Sequence, residues 1–231
     1  MGFTNARAQT YPFWFFHQGS LNCRTIGVGY AEHSPHEDST RSYALMNAAL
    51  NAAAFNHGTV KGGQTFWGTE AGKYRTHSST QEIIDEGEMG EARRILRIID
   101  SFEIDGCMVV LAADSDCTVP GSYTEKAVLS PPISPRWTEE VPKIPGYCYA
   151  VGLAPKYYYV SSSWIEAEWM ARRNLARALS SDIAGVQKSS GEGQSLERLS
   201  SDVILRNVEV VERWLDLREQ LYYVLIRIKV N

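Results

Sequence analysis

The sequence predicts an α+β fold of two tandem βαββ units, each a helix packed on a small antiparallel sheet. Three observations lead there. Residue i matches residue i+123 over a long ungapped stretch. Both halves carry the same order of patterns: a short apolar strand, a long amphipathic helix, then two strands. Six of the nine prolines fall between Asp114 and Cys148, at Pro120, Pro131, Pro132, Pro135, Pro142 and Pro145. Proline fixes φ and removes a backbone donor, so that stretch reads as an extended linker followed by the entry into the second copy, rather than a central strand or long helix.

The repeat rests on named residues. Pro12 and Trp14 fall on Pro135 and Trp137. Val28, Gly29 and Ala31 fall on Val151, Gly152 and Ala154. Ala44, Ala48, Asn51 and Ala53 fall on Ala167, Ala171, Asn174 and Ala176. These nine identities lie within residues 12 to 53, where average usage gives roughly two or three. Later the offset becomes 112, and Leu96, Ile98, Ile99 and Phe102 fall on Val208, Val210, Val211 and Trp214. The division that follows is a tail or signal remnant at 1–10 and a first βαββ copy at 11–118 with an insertion at 58–90. A linker at 119–134 and a second copy at 135–231 complete it.

In the first copy, Thr25 to Ala31 reads as a strand, and Glu37-Asp38-Ser39 caps a helix running to about Asn56, with acids at its positive end. The insertion holds a strand pair around Thr65–Trp67 and Lys73–Arg75. Ile95 to Ile104 and Cys107 to Ala113 flank Asp105-Gly106, a strong hairpin signal. In the second copy, Tyr149 to Ala154 is the strand. Ser163 and Glu166 form a candidate capping box for a helix from Trp164 to Val186, ended by Gly185 and Gly191. Lys188 to Gln194 reads as a polar loop and Ser195 to Asp202 as a short helical turn. Val208 to Leu215 and Leu221 to Val230 are the last strands, the final one alternating as a half-buried strand does. One helix covers one face of each sheet, so the other face must be solvated or meet a neighbour.

Composition excludes several classes. The 231 residues carry a net charge of −4, which argues against a nucleic-acid binder, since that role needs clustered cations. No apolar run reaches the ~20 residues of a membrane-spanning helix. Residues 1–10 lack the apolar core of a signal peptide, although Ala6-Arg7-Ala8 has the small-x-small form of a cleavage site, with mature residues then near Gln9. Cys23 follows Ser20-Leu21-Asn22 and so lacks a lipobox. Cys23, Cys107, Cys117 and Cys148 form no C-x-x-C pair; an even count permits two disulfides in three connectivities.

No catalytic, cofactor or metal site is expected. His33-x-x-His36-Glu37-Asp38 reads as a solvated, acid-capped loop, and its counterpart at Lys156 to Ser161 holds no ligand. Gly27-x-Gly29 lacks the third glycine of a phosphate cradle and reads as close packing. Tyr157, Tyr158, Tyr159, Trp164 and Trp169 form the candidate interface, since a tryptophan off the apolar stripe of a helix needs a domain or partner to pack on.

Val151-Gly152-Leu153-Ala154, the helix pattern Ala167, Ala171, Asn174, Leu175, Ala176, the strand Val208 to Trp214 and the closing Tyr-Tyr-Val-Leu-Ile strand together resemble a known domain. It is that of the twenty-kilodalton Lpp-type surface lipoproteins, shared by flagellar-assembly lipoproteins of the outer-membrane disk and the N-terminal part of the flagellar T-ring protein. The resemblance covers about 95 residues of the second copy and, more faintly, about 100 of the first. It implies a non-enzymatic structural or assembly protein of the bacterial envelope. The place implied is the periplasm, the outer membrane or the cell surface. The protein would contact itself as a homo-oligomer, or other envelope proteins; a flagellar association is part of the family's range. The missing lipobox and the presence of two copies depart from the pattern. The alternative is a module binding a flavin, glycan or peptidoglycan fragment through exposed aromatics.

Overall fold

The computed structural model describes residues 10–69, 72–128, 133–183, 188–191 and 194–230. In chain order it contains β1 (Thr10–Pro12), α1 (Phe13–Phe16), β2 (Ile26–Glu32), α2 (Glu37–His57), β3 (Gly58–Thr69), β4 (Gly72–Ile84), α3 (Glu86–Ile95), β5 (Arg97–Ile104) and β6 (Cys107–Ala113). Then follow α4 (Gly121–Thr124), β7 (Lys126–Val128), β8 (Tyr147–Pro155), α5 (Val160–Ile183), β9 (Lys188–Gly191), β10 (Gln194–Arg206), β11 (Glu209–Asp216) and β12 (Leu221–Lys229). The class is α+β, and the sheets are antiparallel. No helix among the described residues is long and apolar enough to cross a membrane.

Two three-stranded sheets share one strand order. In β2-β6-β5 and in β8-β12-β11 the last strand lies between the first and the middle one. Each middle strand is bulged, between Ile98 and Asp100 and between Val210 and Glu212. A bulge shifts side chains of one strand against its partner, and these two sit 112 residues apart.

Each sheet carries its long helix at unusually short range because a glycine faces it. A Cβ on Gly29 would lie 2.0 Å from the Ala44 carbonyl oxygen, and one on Gly152 would lie 1.9 Å from that of Ala167. Ala48 and Ala171 supply the next contacts, both with a Cβ at 2.8 Å. The helices are then pinned by an amide: Asn51 Nδ2 donates to the Val28 carbonyl at 2.8 Å, and Asn174 Nδ2 to that of Val151 at 2.9 Å. The loop before each helix is tied by a hydroxyl. Ser34 N–H donates to Thr40 Oγ1 at 2.9 Å, and Tyr157 N–H to Ser163 Oγ at 2.8 Å. Indole N–H groups repeat as well, Trp14 to Asp100 at 2.8 Å and Trp137 to Glu212 at 2.6 Å.

The layers alternate. α2 and α3 cover one face of β2-β6-β5 through Ala44, Ala48, Ala49, Ala92, Leu96, Met108 and Val110. The opposite face, with Val28, Tyr30, Phe102, Val109 and Leu111, packs into one core with Tyr11, Phe15 and Trp164. That core continues through Leu175 of α5 to Ala154, Val224 and Ile226 of the second sheet. Thus α5 lies between the two sheets, and the neighbour required by the first sheet's bare face comes from the second half. On the far side of β8-β12-β11, Trp137 covers Tyr149, Trp214 and Leu225.

The third sheet was not foreseen in this form. The hairpin β3-β4 is far longer than the pair expected at Thr65–Trp67 and Lys73–Arg75, and it continues into the second half. Its order is β4-β3-β10-β9, with Leu205 opposite Gly58 and Ser195 opposite Gly68. The helical turn expected at Ser195 to Asp202 is therefore strand, and the loop expected at Lys188 to Gln194 holds β9 up to Gly191. A Ser/Gly-rich composition lacks periodicity, and its long-range partner β3 decides its conformation. The expected capping box fails because α5 starts at Val160, three residues before Ser163. His36 gives α2 no side-chain cap. The expected end of α5 at Gly185 and Val186, the tail at 1–9 and the linker prolines Pro131 and Pro132 lie outside the described residues. The Asp105-Gly106 turn is present, with φ of 46° and 76°, as a type I′ turn requires.

Candidate functional site

The seam between the halves is polar at its centre. Arg213, on β11, is 2% exposed, and Glu168, on α5, is 1% exposed. The guanidinium donates to Glu168 Oε1 at 2.7 Å and 3.2 Å, to the Phe15 carbonyl at 3.0 Å and to Gln18 Oε1 at 2.9 Å. Tyr30 of β2 donates its hydroxyl to the same Glu168 oxygen at 3.0 Å. Burial works against the Arg213 charge, but Tyr30 and Glu168 outweigh it and hold the group above its ordinary range. Burial first, then Glu168, raises the Tyr30 phenol. One buried ion pair thus ties β11, α5, β2 and the segment after α1. A second, Arg172 with Glu82, ties α5 to β4 at 2.9 Å, with Arg172 over the Phe55 ring. These groups position elements, with Glu168 Oε2 and Arg172 Nη1 left buried without a hydrogen-bond partner.

The predicted interface residues separate. Trp164 is fully buried in the seam, its ring centroid 5.0 Å from Phe15 and 4.8 Å from Tyr222. Trp169 is half-buried with Arg173 over its ring. Tyr157, Tyr158 and Tyr159 stand in the loop between β8 and α5. Tyr158 is 92% exposed, with its ring edge-on to Tyr159 at 4.8 Å.

Of the cysteines, Cys23 and Cys117 form a disulfide, while Cys107 and Cys148 are thiols. Burial and the nearby Glu32 carboxylate push the Cys107 thiol up to about 12. Among the described residues no three His, Cys, Asp or Glu side chains cluster as a metal site. His33 instead lies 3.4 Å from Glu103 on the surface.

Two open grooves flank the disulfide. One, of about 460 Å³, is lined by Gln18, Cys23, Phe55, Asn207 and Arg227 among others. The other, of about 920 Å³, brings Arg24, Arg94, Arg97 and Arg206 together with Glu88, Glu91, Asp114 and Asp116. The signs mix, and Arg94 is already paired with Glu91 at 2.7 Å, so neither charge sign dominates. The tyrosine triad lines neither groove.

Sequence reasoning missed the Arg213–Glu168 pair. Its signal was an arginine inside an apolar strand and a glutamate beside Ala167 on a helix, charges that only burial with a partner reconciles. Comparison of the chain with protein-family models, curated proteins and solved structures returns no match.

Proposed function

We propose that this protein is a non-enzymatic structural or assembly component of the bacterial cell envelope, built from two tandem βαββ units and acting through protein–protein contacts. The observation that carries this is the recurrence, 123 residues apart, of Gly29 against Ala44 and Ala48 as Gly152 against Ala167 and Ala171. Shared strand order, bulges, indole–carboxylate bonds and amide pins support a duplicated unit, and the motif within it supports the surface-lipoprotein resemblance. A duplicated α+β layer whose polar seam ties its own elements together through Arg213, Glu168 and Tyr30 suits scaffolding. The exposed Tyr157, Tyr158 and Tyr159 offer contact area at low rotamer cost.

Sedimentation velocity and negative-stain microscopy of the purified chain, with pull-down from an envelope fraction, test this. A stable oligomer or a recovered envelope partner supports the role. A single copy at every concentration, with no partner recovered, overturns it.

A further inference from the structure

The contact between the two halves is not symmetric, and this has a consequence at the molecule's ends. In the sheet β4-β3-β10-β9, each hairpin contributes in the order second strand, first strand. The β3–β10 junction therefore joins the first strand of one hairpin to the second strand of the next. The same ordering leaves β4 and β9 as the sheet's edges, and they are the two complementary types. The layers obey the same direction: α5 of the second half covers the first sheet's face, while among the described residues the equivalent face of the second sheet carries the short turn Arg136–Thr138 with Trp137 and no long helix. Heterologous contacts of this kind propagate, closing as rings or extending as filaments.

Side chains at the matching positions change together. Within the chain, Tyr30 meets Glu168 by a hydrogen bond. The residue equivalent to Tyr30 is Leu153, 43% exposed on the second sheet, and the residue equivalent to Glu168 is Leu45, half-buried on α2. A polar pair inside thus corresponds to an apolar pair at the ends. Trp164 meets Phe15 inside; their equivalents, Arg41 and Thr138, are both polar. Burial follows suit. Val28 and Val109 are 2% and 1% exposed under α5, whereas Val151 and Tyr223, in their places, are half-exposed.

We infer that copies of this chain join head to tail. The face of β8-β12-β11 bearing Val151, Leu153 and Tyr223 receives α2 of the next copy around Leu45, and β9 pairs with that copy's β4. The inference rests on the tandem-unit reading proposed above and names the surface through which an assembly forms.

Cysteine trapping in a Cys148→Ser background tests it. Oxidising a mixture of Leu153→Cys and Leu45→Cys chains gives a covalent dimer, and neither chain alone gives one. Leu153→Arg weakens assembly at least tenfold in sedimentation, with an unchanged circular-dichroism melt. Cross-linking of Leu153→Cys to itself indicates two-fold pairing and overturns the inference. So does an oligomer that survives Leu153→Arg and yields no mixed cross-link, although the assembly role then stands. A wild-type chain that sediments only as single copies removes the inference too; if no envelope partner is recovered either, the assembly role falls with it.

Discussion

Replacing Gly152 or Gly29 by alanine adds one methyl group, yet each change should be among the costliest single substitutions in this protein. The added Cβ on residue 152 would stand 1.9 Å from the Ala167 carbonyl oxygen, 2.4 Å from the Ala171 nitrogen and 2.8 Å from the Ala171 Cβ. The obstacles are helix backbone, not flexible side-chain ends, so α5 must retreat by about 1.5 Å before ordinary contact is restored. Retreat loosens Trp164, Ala171 and Leu175, all fully buried, and stretches the Asn174 bond to Val151. Overpacking costs about 1–3 kcal/mol, and the lost amide bond about 1 kcal/mol more. Urea unfolding should therefore show Gly152→Ala destabilised by about 2–4 kcal/mol. Gly29→Ala should behave alike, since its Cβ meets Ala44 and Ala48 at nearly the same distances. The control is Gly90→Ala, where a Cβ meets nothing within 4 Å and a helical glycine gains up to ~1 kcal/mol. If either close-packed glycine tolerates alanine within about 0.5 kcal/mol, the reasoning about helix approach is wrong.

Other outcomes follow from the same geometry. Arg213→Ala strands Glu168 in the core and should cost about 3–5 kcal/mol, whereas Arg213→Met with Glu168→Leu together should recover much of it; denaturant midpoints decide. Trp137→Phe removes one indole donor to Glu212 and should cost about 1–2 kcal/mol, as should Trp14→Phe at Asp100, read by thermal melts. The disulfide spans 94 residues, so reduction, or Cys23→Ser with Cys117→Ser, should lower stability by up to ~4.7 kcal/mol on the chain-entropy account, seen as a lower melting temperature in reductant. Burial, and secondarily Asp105, raises the Tyr222 phenol to about 12. A raised folded-state value means its stabilisation is complete below the unfolded value near 10 and is lost as pH climbs towards 12. Stability should fall across that window, and Tyr222→Phe should flatten the fall.

Local and short-range signals were legible before any coordinates. The Asp105-Gly106 turn, both long helices and the paired glycines announce themselves because their causes lie within a few residues or repeat at a fixed offset. The third sheet did not, because β10 has no pattern of its own; its conformation comes from β3, more than a hundred residues away. The helix α3 was hidden for a related reason. Its capping Asp85 accepts from Glu88 N–H at 3.1 Å, but only Ala92 of its residues is fully buried, and its apolar stripe is just Met89, Ala92 and Ile95. Of the candidate interface, Tyr157 to Tyr159 stand at the surface. Trp164 and Trp169 belong to the packed interior and its margin, a distinction that depends on where α5 lies relative to β2-β6-β5.

The position of α5 between two sheets also dictates the timing of folding during synthesis. Tyr11 and Phe15, made first, meet Phe102 of the same half but gain Trp164 only when the second half has emerged, and β3 waits longer still for β10. Until then the nascent first half exposes an apolar sheet face and an unpaired strand edge, the features that invite aggregation. Such late, long-separation closure slows folding and prolongs the exposure of that surface until the last seventy or so residues arrive.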